Sequence, residues 1–516
     1  MQFQGLIHIC FTRMRLAAKI ATSLIFLSNA VSAQATAPFT ISDITADHTV
    51  SQLKLVPFFR ADRNALLAKG RTKSGEKVFS FYEMDSGSRV MGAPTLTVHM
   101  PPNALFYDFA PIGDQKQETL LFLGDEGVQR YDLASDTMEP LVALSSIYRQ
   151  GSNPLFEQLD FARDLNGDGY ADIIVPDFGG YRLRLNDGKG GFGTEVLLEM
   201  QVEMRLSQQR PLYSQFPLYT IDMNFDGKLD IAFLKDRSFV AFLQNGDGGF
   251  DAVPSVSPID MDVIGNSFAE FIKSEERYQD QANLAETRIR RVEDINGDGI
   301  VDIVTVTDRA QGIFKRSSMY QFHYGQQEGS KLVFRSKPNT RIALQGITAE
   351  NRLVDFADDG RMDFVGGAVN IGIGKIIGIL LSGSVSIHIN FFEQGADGRY
   401  AAKPNFRKKV SVDFDMSSGQ SSVPVTELAD IDGDKAKDMI LSDGTKMLRL
   451  FKATPGAKKM FARKSIDVKV ELPKNGELVR TADLNGDGKG DLLIHFDKLG
   501  SDGQANKNRF IVLVAN

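Results

Sequence analysis

Carboxylates set two residues apart around a glycine recur along the chain, and that spacing is the pattern of a loop that wraps a hard cation. Six nonapeptides carry it. The first three hold Asp164, Asn166, Asp168, Tyr170 and Asp172 (D-L-N-G-D-G-Y-A-D), Asp222, Asn224, Asp226, Lys228 and Asp230 (D-M-N-F-D-G-K-L-D), and Asp294, Asn296, Asp298, Ile300 and Asp302 (D-I-N-G-D-G-I-V-D). The last three hold Asp355, Asp359, Arg361 and Asp363 (D-F-A-D-D-G-R-M-D), Asp430, Asp432, Asp434, Ala436 and Asp438 (D-I-D-G-D-K-A-K-D), and Asp483, Asn485, Asp487, Lys489 and Asp491 (D-L-N-G-D-G-K-G-D). Side-chain oxygens at positions 1, 3 and 5 turn toward one point, glycine at position 6 permits a sharp turn, and position 7 offers its backbone carbonyl. Aspartate at position 9 closes the set. Oxygen-only donors with several carboxylates suit Ca²⁺ better than zinc or copper, and a flexible loop with about six ligands suits it better than Mg²⁺. The expectation is about four to six Ca²⁺ ions per chain, held by these residues.

The bland alternative is a set of Asx-type turns in which Asp and Asn cap their own backbone. Four intact copies weigh against it, because three or four like charges within nine residues repel one another unless a cation screens them. Two copies are weaker: Ala357 removes the donor at position 3 of one loop, and Lys435 replaces the glycine of another. A side chain at positive φ costs about 1 kcal/mol.

Each nonapeptide lies between an apolar strand that enters it and a second that leaves it, as in I-I-V after Asp172 and I-V-T-V after Asp302. Successive copies start 58, 72, 61, 75 and 53 residues apart, the spacing of blades or solenoid turns with insertions between strands. Several units continue into a hairpin with an Asn/Asp/Gly turn, as in R-L-R-L-N-D-G-K-G-G-F from Arg182 and V-A-F-L-Q-N-G-D-G-G-F from Val240. Four short antiparallel strands per unit make a propeller blade. Two further units, beginning near Leu53 and Leu105, keep the strand rhythm without the acidic loop. The reading is all-β, a β-propeller of eight four-stranded blades with seven as the alternative, over residues 36–516. The last unit is one strand short, and a segment near Phe39 to Asp43 is available to complete it, which closes the ring without a free edge. Residues 266–291 break the β rhythm and carry helix-forming composition, so a small helical insertion is expected there.

The acidic nonapeptide followed by an apolar strand resembles the FG-GAP and VCBS repeats of integrin α-subunit heads and of many exported bacterial proteins. The resemblance spans Leu53 to the C-terminus. It implies a propeller with calcium in the loop between the first and second strands of a blade, and it leaves function open, since such propellers serve adhesion, glycan binding and polysaccharide cleavage.

Residues 1–35 read as a secretion signal: Arg13, Arg15 and Lys19 precede the apolar run from Ile20 to Leu27, and Val31-Ser32-Ala33 or Ala33-Gln34-Ala35 offers the cleavage site. That run is too short for an anchor, so the mature chain is expected to be exported, periplasmic or extracellular, with no transmembrane span. The one cysteine, Cys10, falls within this leader. The stretch Gly366 to Ile389 is apolar but interrupted by Lys375, Ser and Asn, and reads as extended β-structure. A formal charge of -7 argues against a nucleic-acid partner. The six histidines show no metal-ligand spacing, and no nucleophile elbow or phosphate loop is present, so the residues supply no catalytic set. A non-catalytic binding, adhesion or scaffold role with an unidentified protein or glycan partner is the leading reading; the alternative is a polysaccharide-binding lectin or lyase on the same ring.

Overall fold

A computed structural model describes residues 38–84, 89–113, 116–148, 156–207, 210–214, 216–270, 272–273, 284–312, 315–369, 383–415, 420–454, 460–496 and 505–516. The expected leader, the predicted cleavage sites and residues 370–382 of the Gly366–Ile389 stretch lie outside these residues.

The chain forms eight antiparallel blades of four principal strands arranged in a ring, a β-propeller. Blades 1 to 7 occupy residues 49–99, 104–143, 162–198, 218–258, 284–345, 347–415 and 426–469. The sixth carries a two-residue extra strand, Gln420–Ser421. Blade 8 takes three strands from the C-terminal end, Val479–Ala482, Asp491–His495 and Arg509–Ala515. It takes its fourth, Phe39–Thr45, from the other end of the chain. Phe39 pairs with Ala515 and Thr45 with Arg509 in unbroken antiparallel register, so the ring closes by the exchange expected from the sequence. Arg509 clamps the seam, donating from Nε and Nη2 to the two carboxylate oxygens of Asp43 at 2.7 and 2.6 Å and from Nη1 to Glu471 at 2.7 Å.

Packing explains why the strands have the sequences they do. Second strands are buried on both faces against neighbouring blades and read as continuous apolar runs: every residue of Asp172–Asp177 is buried. The outer strand Thr340–Gln345 instead alternates buried and exposed. The buried side chains fall into eight clusters, each spanning one pair of adjacent blades. In the cluster shared by blades 1 and 2, for example, Phe58 stacks on Phe81 within blade 1 with centroids 4.0 Å apart, and Phe79 of blade 1 meets Tyr107 of blade 2 edge-on at 4.8 Å. Tyr82 against Phe510 joins blade 1 to blade 8.

Of the expected helical insertion, residues 271 and 274–283 lie outside the described residues. Residues 268–270 and 272–273 are helical, but Leu284–Glu293 is the first strand of blade 5. A register shift between Ile289 and Arg291 marks a bulge, and a bulge breaks the two-residue alternation by which a strand is recognised. The ends of the Gly366–Ile389 stretch are strands, within Asp363–Val369 and Ser384–Phe392. No helix among the described residues is long and apolar enough to cross a membrane.

Candidate metal loops and the carboxylates beneath them

All six nonapeptides occupy one place in the architecture, the connection from first to second strand in blades 3 to 8. They therefore gather at one end of the ring.

Within each loop the backbone wraps around the first aspartate. In blade 3, Asp164 accepts the Gly167 N–H at Oδ1 and the Gly169 N–H at Oδ2, both at 2.8 Å; Asp294 does the same with Gly297 and Gly299, and Asp483 with Gly486 and Gly488 at 2.7 and 2.9 Å. Asn166, Asn224, Asn296 and Asn485 each accept the N–H of position 5 at 3.0 to 3.1 Å. Position 5 then accepts the N–H of position 7, from Tyr170, Lys228, Ile300, Arg361, Ala436 and Lys489, at 2.9 to 3.0 Å. A carboxylate oxygen that takes one N–H keeps a second lone pair, so these bonds preset the loop and leave donors for a cation.

The turn demands left-handed backbone at two positions. Position 6 lies at φ 81 to 89° where it is glycine, and Lys435 takes the same conformation at φ 71°. Position 4 is left-handed as well, through Gly167, Gly297, Gly433 and Gly486 and also through Phe225 at φ 59° and Asp358 at φ 56°; that second requirement was not anticipated from sequence. Lys435→Gly is therefore expected to stabilise the protein by about 1 kcal/mol, measured as a higher denaturant midpoint at unchanged slope.

Position 9 behaves differently from the others. Asp172, Asp230, Asp302, Asp363 and Asp491 are fully buried and Asp438 nearly so. One oxygen of each accepts the N–H of position 2 of its own loop, as from Leu165 at 3.0 Å and Ile295 at 2.9 Å. The other accepts an N–H at or just beyond the end of the third strand: Asn186, Gln244, Gly325, Gln394, Ala453 and, from within the last strand itself, Ala515, at 2.7 to 2.9 Å. Each of these aspartates thus ties the acidic loop to the third strand of its blade. The six partners were missed at the sequence level. The one hint was the recurrence of Asn186, Gln244 and Gln394 where a third strand meets its turn.

Burial pushes the Asp172 and Asp302 carboxyls up to about 7, and those of Asp363, Asp438 and Asp491 up to about 6. The backbone N–H bonds pull the other way, and the loop carboxylates above add to the rise. A carboxyl raised in the fold is fully compatible with folding below its unfolded value of 3.8, and the stability it allows is lost as pH rises through 6 to 7. Without divalent cations the melting temperature is accordingly expected to fall from pH 5 to pH 8, and less so in Asp302→Asn.

The loops differ in which cations they already hold. In blade 6 the Arg361 guanidinium sits on Asp359 and the Lys437 ammonium on the Asp355 carbonyl. In blade 7 the Lys452 ammonium sits on Asp432. Lys228 lies 3.5 Å from Asp226 in blade 4. Asp430, Asp432 and Asp434 bring carboxylate oxygens within 4.8 Å of one another, the one such trio of acidic, histidine or cysteine side chains among the described residues.

Fold and loops together define the chain as an eight-bladed β-propeller with one acidic turn in each of six blades. No family model and no curated protein matches it. Solved structures that do match include an Agrocybe aegerita lectin described as recognising non-reducing terminal N-acetylglucosamine, 18% identical over 72% of this chain and 81% of the lectin, with a TM-score of 0.39. Others are BBS1N in complex with ARL6DN (6% identical, 92% of this chain and 98% of that one, TM-score 0.31) and the V. cholerae biofilm matrix protein Bap1 (11%, 93% and 88%, 0.23). At such identities and scores these likenesses carry no argument about what this chain binds.

Proposed function

We propose that this protein is a calcium-stiffened binding propeller of the FG-GAP/VCBS type, exported to the periplasm or beyond, in which the ring presents a surface to a partner and does no chemistry. The observation that carries the reading is the repetition of one preset oxygen cradle at the same connection of six blades, over a buried aspartate that burial and neighbouring carboxylates push toward neutrality. A divalent cation reverses that electrostatic cost. The cradles of blades 3, 5 and 8 keep Asp, Asn, Asp and both glycines at positions 1, 3, 5, 4 and 6, and blade 4 differs only by Phe225; these four are assigned the firm sites. Blades 6 and 7 are assigned the weak ones, because Arg361 and Lys452 compete for the same carboxylates. Calorimetric titration of the chelator-treated protein with CaCl₂ is expected to give about four ions per chain at affinities typical of extracellular modules. Fewer than one ion per chain contradicts the proposal.

A further inference from the structure

The strand that closes the ring is pinned at its two ends by different chemistry. Phe39–Thr45 pairs antiparallel with Arg509–Ala515, the third strand of blade 8, which runs toward the acidic loops. At the Thr45 end the Arg509 guanidinium holds Asp43 and Glu471, and no loop residue takes part. At the Phe39 end the contacts converge on Ala515 and Asn516. The Asn516 N–H donates to the Pro38 carbonyl at 3.0 Å, and its side-chain oxygen accepts the Thr40 hydroxyl at 2.9 Å and Arg89 Nη1 at 2.6 Å. Arg89 lies between the third and fourth strands of blade 1, so Asn516 joins the last blade, the closing strand and the first blade.

Ala515 and Asn516 are in turn held by the blade 8 loop. Asp491 at position 9 accepts the Ala515 N–H at 2.8 Å, and Lys489 at position 7 reaches out of the loop to donate its ammonium to the Asn516 carbonyl at 2.8 Å. That reach sets blade 8 apart: Lys228 and Arg361, the cationic position 7 side chains of blades 4 and 6, turn back onto the position 5 carboxylates of their own loops. In blades 3 to 7 the position 9 aspartate steadies a third strand whose outer neighbour comes later in the same stretch of chain. In blade 8 that neighbour is the closing strand. Lys489 thus works from both sides: its backbone N–H donates to Asp487 at 2.9 Å, its backbone carbonyl is the position 7 donor to a cation, and its side chain grips the seam. With positions 1, 3, 5 and 7 drawn onto a cation, the base of that arm is fixed. Without one, Asp483, Asp487 and Asp491 repel across a loop whose Gly486, Asp487 and Gly488 are exposed, and the base of the arm is free to move.

We infer that the blade 8 loop is the lock of the ring: with a divalent cation bound, Lys489 and Asp491 hold the closing strand shut at its Phe39 end, and without one that end frays. The other five loops stiffen only their own blades. The inference rests on the calcium reading of the loops and adds a regulation to it, a ring loosely shut where calcium is scarce and locked where it is millimolar. At 1 mM calcium a loop with a dissociation constant near 10⁻⁴ M resists opening about tenfold more than an empty one. The Arg509 clamp persists in both states, so the strand frays from one end and stays attached at the other.

The test is hydrogen–deuterium exchange of the full chain, read by mass spectrometry on a peptide spanning Phe39–Thr45, with calcium content measured on the same samples. In the unaltered protein, EDTA is expected to speed exchange of these amides about tenfold relative to 1 mM calcium. Asp487→Ala, in calcium, is expected to exchange there at the EDTA rate, while Asp298→Ala, the same change in the blade 5 loop, stays within about twofold of the unaltered protein. Lys489→Met is expected to keep its full calcium content and still lose protection by about threefold or more. A closing strand equally protected in calcium and in EDTA, in protein that binds its calcium, overturns this inference alone. Equal exposure in Asp298→Ala and Asp487→Ala overturns it too, because the loosening is then general and not at the seam, and so does full protection in Lys489→Met. Protein that binds no calcium overturns the inference together with the reading on which it rests.

Discussion

Addition of 1 mM CaCl₂ to chelator-treated protein is expected to raise its melting temperature by about 5 °C, with a much smaller response to MgCl₂. A ligand that binds only the folded state stabilises it by RT ln(1 + [L]/Kd). For a dissociation constant near 10⁻⁴ M, the tight end for extracellular modules, each site contributes about 1.4 kcal/mol at that concentration. Four sites then contribute about 6 kcal/mol, and an unfolding entropy near 1 kcal/mol per kelvin for a chain of this size turns that into several degrees. Magnesium lags because it gives up its own water reluctantly and demands tight octahedral geometry. Superimposed melting curves in EDTA and in calcium return the loops to self-capping turns.

The second large effect separates two aspartates of the same loop. Asp302→Ala is expected to cost about 3 kcal/mol or more whether or not calcium is present, since it strips the acceptor from the buried N–H groups of Ile295 and Gly325 and each buried unpaired group costs about 1–3 kcal/mol. Asp298→Ala removes an exposed carboxylate that accepts the Ile300 N–H at 2.9 Å and the Asn296 side-chain amide at 2.8 Å. Its cost in EDTA is expected near 1 kcal/mol, with the remaining loss appearing only in calcium. Denaturant titration of both variants in both conditions reads the difference. Equal calcium-independent losses contradict the division of labour between positions 5 and 9.

Much of this architecture was legible in the sequence for a physical reason: the nonapeptide is a local device whose parts sit within nine residues, so its repetition counts six of the eight blades. The closing strand was legible too, because three strands after Val479 leave a gap that the segment at Phe39 fills. What was not legible is long-range or irregular. The structural tie made by Asp172 and Asp302 is hidden because their third-strand partners, Asn186 and Gly325, lie 14 and 23 residues further on. Residues 284–291 look helical because the register shift at Ile289 and Arg291 falls in the middle of a strand. The left-handed backbone at Phe225 and Asp358 is hidden because neither residue type announces positive φ as glycine does.

The central claim, that the preset cradles hold calcium, is tested most directly by an anomalous difference map from crystals grown in calcium, with wavelengths chosen to distinguish it from lighter ions. The account predicts strong peaks among the position 1, 3 and 5 oxygens in blades 3, 4, 5 and 8, and weaker or absent peaks in blades 6 and 7, where Arg361 and Lys452 occupy the carboxylates. A map with no peak at any of the first four loops contradicts it.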